Sequence, residues 1–403
     1  MEIENPPRVE REPRDGVPLI ITTTEALEQY ATQIALGHGP VALDAERASG
    51  FRYSQRAYLI QVRRQGAGTA LIDPIAVPDL TALAAAINDL PWILHAASQD
   101  LPCLAELQLY PSELFDTELA GRLLGRERVS LGALVESELG EILEKGHGAT
   151  DWSVRPLSKA QLRYAALDVE LLVELRDVLE TELAAANKLD YAEQEFHALL
   201  AFTPRPRGDE PWRRTSGIHR IRKEQALALV RELWFARDHI AQREDIAAGR
   251  ILPDAAIIAA ATAMPASSQD LGALPEFSGR GQTRRRADWW SAIERAMSLE
   301  AADWPAAAGP AEGPPPPRTW AAKNPAAAAR LERAREGLRL ISEEISIPVE
   351  NLLTPELARR LCWDPPQPLN LEAIEAQLLL LGARQWQISL TAPLLLESLT
   401  PTE

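Results

Sequence analysis

The run Gly39-Pro40-Val41-Ala42-Leu43-Asp44-Ala45-Glu46 constrains this chain more than any other stretch. A Gly-Pro break followed by β-branched and large apolar residues reads as a short strand over 41–46. Side chains alternate along a strand, so Asp44 and Glu46 share one face while Val41, Leu43 and Ala45 share the other. Two carboxylates side by side on an apolar strand repel each other, and keeping both ionised requires a cation. A strand that simply ends in solvated acids has the same pattern, so the pair alone leaves both meanings open. The deciding question is whether further acids converge on it.

Proline-rich breaks divide the chain of 403 residues, a length that suits two or three domains. Residues 1–16 mix acids, bases and prolines; they are expected to be disordered and do not form a signal peptide. Residues 17–202 read as α/β, with strands at 18–22, 41–46, 58–64, 69–72 and 92–95 and helices at 24–36, 80–90, 100–109 and 131–139. Three strands in quick succession predict an antiparallel meander. The later alternation predicts parallel additions, giving a mixed sheet with flanking helices. A long helix opens at Ser158, where Ser158 and Gln161 fit a capping box, and is expected to run to about Asn187. Its buried stripe passes through Tyr164, Asp168, Leu171, Leu175 and Val178. An aspartate in such a stripe either pairs with a base or binds a metal, because isolated buried carboxylates are costly.

Residues 203–211 read as a linker and 212–299 as all-helical. Residues 300–324, with consecutive prolines at 314–317, are expected to be an extended Pro/Ala-rich linker. Asn324-Pro325 makes an N-cap and first helical position for a last helical domain over 325–403. The α/β domain is thus followed by one or two all-α domains, which read as copies of one helical fold.

The net charge of −16 argues against a generic nucleic-acid binder, but it is unevenly spread. Residues 1–204 carry 17 Lys and Arg against 32 acids, whereas 205–300 carry 16 against 13. A mildly basic segment inside an acidic chain suits an accessory binding module. No apolar run approaches the ~18 residues of a membrane span, so no membrane association is expected. Cys103 and Cys362 lie far apart in helix-like contexts, which predicts free thiols and a cytoplasmic setting.

Two further stretches bear on the Asp44–Glu46 pair. Asp100 follows the strand at 92–95 and falls at a helix start, where an acid also compensates the helix dipole. Tyr164 and Asp168 form an i, i+4 pair on one helix face. Together, four acids and a tyrosine on a strand, a helix start and a helix face resemble the DEDD-type 3′–5′ exonucleases of the tyrosine subgroup. Within that group the chain is similar to the ribonuclease D family. The matching runs are VALDAE followed by YLIQV, LHAASQDL, and DWSVRPLSKAQLRYAALDVELL, and the segment at 212–298 resembles the HRDC accessory domain. The resemblance covers nearly all of the chain past residue 17. Ala45 stands where the family often has threonine, on the face away from the acids.

The resemblance implies a ribonuclease H-like sheet and two divalent ions, Mg²⁺ or Mn²⁺. Asp44 would bridge both ions, Glu46 and Asp168 would complete the first, and Asp100 would hold the second through water. Tyr164 would orient the attacking water, since a free phenol with a pKa near ~10 is a poor general base. The implied reaction removes nucleoside 5′-monophosphates from a free RNA 3′ end, with tRNA 3′ trimming as the family task. DNA remains an alternative substrate, because catalytic acids do not read the 2′-hydroxyl. A non-catalytic RNA-binding scaffold is the third reading, and no protein partner is implied.

Lys145, His147 and Arg155, in the loop before the catalytic helix, are candidates for phosphate contact or else solvated charges. Asp116, in LFDTEL, is similar to an aspartate that supports the metal ligands in the family, and a helix cap reads equally well. His95 and the Trp289-Trp290 pair read as structural. Arg213, Arg214, Arg220, Arg222 and Lys223, with the arginines at 284–286, would hold an RNA backbone electrostatically. Removing residues 205–403 is expected to weaken binding more than chemistry.

Overall fold

The computed structural model describes residues 8–10, 12–143, 146, 148, 150–203, 208–307 and 313–400. Among these residues the strands are β1 (Arg8–Glu10), β2 (Ile20–Ile21), β3 (His38–Arg47), β4 (Ala57–Gln65), β5 (Gly68–Ile72), β6 (Pro91–Leu94), β7 (Glu113–Asp116) and β8 (Glu141–Leu143). Six of them form one sheet in the order β2-β5-β4-β3-β6-β7. The meander β3-β4-β5 is antiparallel, while β2, β6 and β7 add in parallel. This is the expected mixed sheet. β7 escapes a sequence reading because its two adjacent apolar residues, Leu114 and Phe115, stand between acids and show no alternation.

Strand parity decides what each face of the sheet carries. Val41, Leu43 and Ala45 of β3 join Ile60 and Val62 of β4 in a core closed by α1 (Thr24–Ala35) and α2 (Thr81–Ile87). On the other face the helix Lys159–Glu170 lays Ala165 and Ala166 against Tyr58, Leu59 and Leu71. Its capping box forms as the spacing predicts: Gln161 N–H donates to the Ser158 hydroxyl at 3.2 Å and the Gln161 side chain accepts from Ser158 N–H at 3.0 Å.

The single long helix expected from Ser158 is two helices. Lys159–Glu170 ends at Leu171, whose φ of −109° and ψ of 7° leave the helical region, and Leu172–Ala185 begins beyond it. No Pro or Gly marks the break. The first helix packs on β4 and β5, whereas Leu171, Leu172, Leu175, Leu179 and Leu183 belong to another core shared with Phe115, Ala120 and Leu123. Tertiary packing on two cores ends the helix where its own propensity does not.

The amino-terminal stretch, expected to be disordered, is partly ordered. β1 pairs in parallel with β8, and Arg14 bridges Glu141 at 3.1 Å and Glu174 at 2.8 Å. Asp15 reaches Arg63 at 3.5 Å and Glu12 reaches Arg163 at 3.3 Å. Residues 1–7 and 11 lie outside the described residues.

The second domain centres on Glu224–Glu244, Asp254–Ala263 and Arg286–Met297, packed around Trp212, Phe277 and Trp289. It grips the loop that follows β3. Ala247 N–H donates to the Phe51 carbonyl at 3.0 Å, and Arg250 donates to the Gly50 carbonyl at 2.6 Å while lying 4.1 Å from the Phe51 ring centroid.

The linker expected over 300–324 is not extended throughout. Trp320, in a short helix Trp320–Lys323, is fully buried, donates its indole N–H to the Pro315 carbonyl at 2.6 Å and packs against Trp363 at 5.0 Å. The last domain (helices Pro325–Ile345, Pro355–Trp363, Leu371–Leu380 and Gln385–Leu399) shares one core with the nuclease helices. Asn324 caps the first of these by accepting from Ala327 N–H at 3.0 Å, as the Asn-Pro dipeptide predicts. No described helix is long and apolar enough to cross a membrane, and both cysteines are free and buried.

Candidate active site

Asp44, Glu46 and Asp168 meet above the centre of the sheet. One oxygen of each carboxylate lies within 4.8 Å of the others. Asp44 and Glu46 are placed by strand parity, and Asp168 by the helix Lys159–Glu170 that crosses the same face. Together with Asp100 and Tyr164 they line a cavity of about 390 Å³, a size suited to a small ligand.

Asp100 reaches this cavity from a turn that is itself held in place. It stands at the N-cap of α3 (Leu101–Glu106), three residues shorter at its carboxyl end than the helix expected over 100–109. The turn before it passes through Ala96, a non-glycine residue at φ 57°. Such a conformation costs about 1–2 kcal/mol and needs local support. Asp116 supplies that support: it accepts from Ala96 N–H at 3.1 Å and Ala97 N–H at 2.8 Å. It also caps α4 (Thr117–Leu123) by accepting from Glu118 and Leu119 N–H. The supporting and capping readings of Asp116 therefore describe one carboxylate with both tasks.

The electrostatics are those of a site built for cations. Burial raises the pKa of Asp44 to about 6, against which the Ala45 N–H and Arg47 act. Burial likewise raises Glu46, Asp100 and Asp168, and the neighbouring carboxylates push all three further up. Acids this close cannot all stay ionised without positive charge among them. Tyr164 hydrogen-bonds Asp168 through its hydroxyl, and burial followed by the nearby acids holds the phenol above its usual range. It is a proton-bearing group here. The backbone closes over it at Gly148, where a Cβ would stand 3.4 Å from the Tyr164 hydroxyl.

The other expected site residues that the structure describes lie outside the carboxylate cluster. Arg155 is not a free phosphate ligand: its guanidinium binds Asp73 at 2.6 and 2.9 Å and the carbonyls of Tyr58, Trp152 and Val154 at 2.7, 2.7 and 3.0 Å. It ties the loop before the catalytic helix to the sheet. Lys145 and His147 lie outside the described residues. Arg214, Arg220, Arg222 and Lys223 are exposed on the second domain and do not line the cavity. Arg213 there is committed, pairing with Glu210 at 2.7 Å and lying 4.3 Å from the Trp212 ring. Of the 284–286 arginines, Arg285 pairs with Glu244. His95, read as structural, in fact borders the cavity; it bonds the Thr117 hydroxyl at 2.9 Å, and burial lowers its pKa to about 4. Trp289 is fully buried, as expected.

The sequence reading missed Gln61, which stands beside the site, and Arg47, which lines it. Gln61 stands opposite Asp44 in the β3–β4 register, and both polar atoms of its side chain are buried without a hydrogen-bond partner. A lone polar residue in the apolar run YLIQV is the signal that marks it. Arg47 lines the cavity next to Asp100. No sequence pattern marks it, because strand alternation turns it the other way.

Residues 18–184 match a family model described as 3′–5′ exonuclease, 226–293 match the HRDC domain, and 313–399 match the 3′ to 5′ exonuclease C-terminal domain. The chain is similar to the ribonuclease D of Shewanella sp. (strain ANA-3), 33% identical over 59% of this chain and 62% of that protein, just under two thirds of its length. It is similar to the ribonuclease D of Sphingobium indicum, 31% identical over 66% of this chain and 69% of that protein. A solved structure of a protein from Bifidobacterium adolescentis superposes with a TM-score of 0.90 at 37% identity, covering 98% of this chain and 99% of the other.

Proposed function

The chain belongs to the ribonuclease D family of 3′–5′ exonucleases, and from that premise we propose a metal-dependent exoribonuclease that releases nucleoside 5′-monophosphates from RNA 3′ ends. The observation that carries the reading is the convergence of Asp44, Glu46 and Asp168 within 4.8 Å in a cavity also lined by Asp100 and Tyr164.

The donor set fits a hard divalent cation such as Mg²⁺ or Mn²⁺, which prefers carboxylate oxygens and retains water. A pair of such ions supplies Lewis-acid charge to the attacking and leaving oxygens of a phosphoryl displacement. Asp44 would contact both ions, Glu46 and Asp168 the first, and Asp100 the second. The protein's own part is to hold these acids fixed and close together, where burial and mutual repulsion leave charge that a bound cation would balance. Asp116 positions Asp100 through the turn at Ala96, and Glu46 is buried where water cannot relax its charge. Tyr164, tethered to Asp168, orients the attacking water by hydrogen bonding and keeps its own proton.

RNA is the favoured substrate because the relatives carry the name ribonuclease D; within it, tRNA precursors are the class that the sequence resemblance implies. Buried free thiols suit a reducing, cytoplasmic setting. The test is a competition between matched 5′-labelled RNA and DNA oligonucleotides with Mn²⁺ or EDTA, with products identified chromatographically. Metal-dependent shortening of RNA from its 3′ end with release of 5′-monophosphates is expected. Preference for DNA would reassign the substrate. Activity lost in neither EDTA nor an Asp44→Ala variant would overturn the site.

A further inference from the structure

Arg47 is the last residue of β3, next to Glu46. Strict alternation would turn it away with Val41, Leu43 and Ala45, to the face opposite the acids. The β3–β4 register instead shifts between Glu46, which pairs with Leu59, and Arg47, which pairs with Ala57. The extra residue, Tyr58, sits on β4, and such a bulge increases the local twist of the pair. At this irregular end of β3, Arg47 lines the cavity, with its guanidinium 3.7 Å from an Asp100 carboxylate oxygen.

Among the described residues lining the cavity, no other is a lysine or arginine. Its guanidinium makes no hydrogen bond to any described residue, only the longer ion pair with Asp100. The 3.7 Å separation from Asp100 is too long for a hydrogen bond, and no described residue accepts one from the Arg47 side chain. Arg155 contrasts with it, since its donors are bound to Asp73 and three backbone carbonyls. A guanidinium that is one-quarter exposed, makes no hydrogen bond to a described residue and faces a cavity of acids is arranged to receive an anion.

Charge balance identifies the anion. Asp44, Glu46, Asp100 and Asp168, once ionised, are neutralised by two divalent cations, so a phosphodiester entering the loaded site brings unmatched negative charge. More accumulates on its non-bridging oxygens as the phosphorus is attacked. We propose that Arg47 is the protein's own ligand to the scissile phosphate, donating to a non-bridging oxygen in the substrate and to the 5′-phosphate of the product. The assignment rests on the exonuclease reading above. In the free protein the same side chain rests against Asp100.

The test uses the full chain and compares wild type with Arg47→Gln and Arg47→Lys. Calorimetry measures Mn²⁺ binding, then binding of adenosine 5′-monophosphate and of adenosine to the Mn²⁺-loaded protein. Loss of a charge-assisted phosphate contact should weaken monophosphate binding by roughly ten- to hundredfold in Arg47→Gln. Arg47→Lys should recover part of it, while adenosine and Mn²⁺ bind no more weakly than in wild type. Unchanged monophosphate affinity in Arg47→Gln would overturn the proposal. So would a parallel loss of Mn²⁺, which would make Arg47 a support for Asp100. Because the readout is binding, it is separable from turnover: wild type that binds Mn²⁺ and the monophosphate without shortening RNA sinks the exoribonuclease reading, and Arg47 is still judged on the monophosphate.

Discussion

Asp245, the left-handed residue that ends the long helix of the HRDC domain, accepts a hydrogen bond from the backbone N–H of Ser54 at 2.9 Å. Ser54 belongs to the loop that leaves the catalytic strand one turn after Glu46 and Arg47. The same carboxylate lies 3.6 Å from Arg56 and 3.4 Å from the Tyr58 hydroxyl, and Asp238 accepts from Tyr53 at 3.1 Å. The accessory domain therefore holds the rim of the catalytic cavity, which changes what its loss should do.

Asp245→Ala should lower kcat/KM by about tenfold even on a trinucleotide too short to reach the second domain, because the rim carrying Arg47 and Ser49 loosens. A defect confined to long RNAs would mean that the domain only binds substrate, as the basic composition of 205–300 suggests on its own.

Asp44→Ala or Asp168→Ala should reduce turnover by roughly a thousandfold or more, since each removes a ligand from the carboxylate cluster. RNA retention in a filter-binding assay should largely persist. Tyr164→Phe should cost roughly a hundredfold in kcat with Mn²⁺ affinity retained, because it removes the hydroxyl beside Asp168 and leaves the carboxylates in place.

Metal-free protein should lose stability as pH rises. Asp44 is raised by burial from 3.8 to about 6, so its contribution is fully present below the unfolded value and is lost as pH climbs through about 6. At about 1.4 kcal/mol per pH unit the loss is on the order of 3 kcal/mol. Melting temperatures in EDTA between pH 4 and 7 should show this fall in wild type and a shallower one in Asp44→Asn. Saturating Mn²⁺ should reverse it. Superimposable profiles for the two proteins would show that the cluster is not charge-strained.

The last domain should act as part of the nuclease fold. Trp386 stacks on Tyr191 at 4.8 Å and donates its indole N–H to buried Glu195 at 3.1 Å, while Arg384 approaches Glu195 at 3.2 Å. Trp386→Ala should cost about 3–5 kcal/mol in chemical denaturation and broaden the transition as the domain undocks. A destabilisation under about 1 kcal/mol would indicate that the shared core tolerates the loss.

The meander, the parallel additions and the capping box at Ser158 were legible because each rests on local periodicity or on a short-range hydrogen bond. The carboxylates were legible for a different reason: a charge in an apolar strand or helix stripe is costly unless something uses it. The break at Leu171 was not legible, since no residue there disfavours a helix and the two halves part only because they pack on separate cores. The ordered amino-terminal strand escaped for a related reason: its partner, Glu141–Leu143, is more than a hundred residues away.

Residue types and their spacing alone determined that Asp44 and Glu46 share a strand face and that Tyr164 and Asp168 share a helix face, because strand and helix periods assign faces without reference to the rest of the molecule; that these faces meet was implied by the family resemblance. Only the tertiary structure decided which cations remain free to act. Arg155 is consumed by Asp73, whereas Arg47, at the irregular end of β3, lines the cavity. A side chain's charge is written in the chain, but its availability depends on every partner that folding brings within reach.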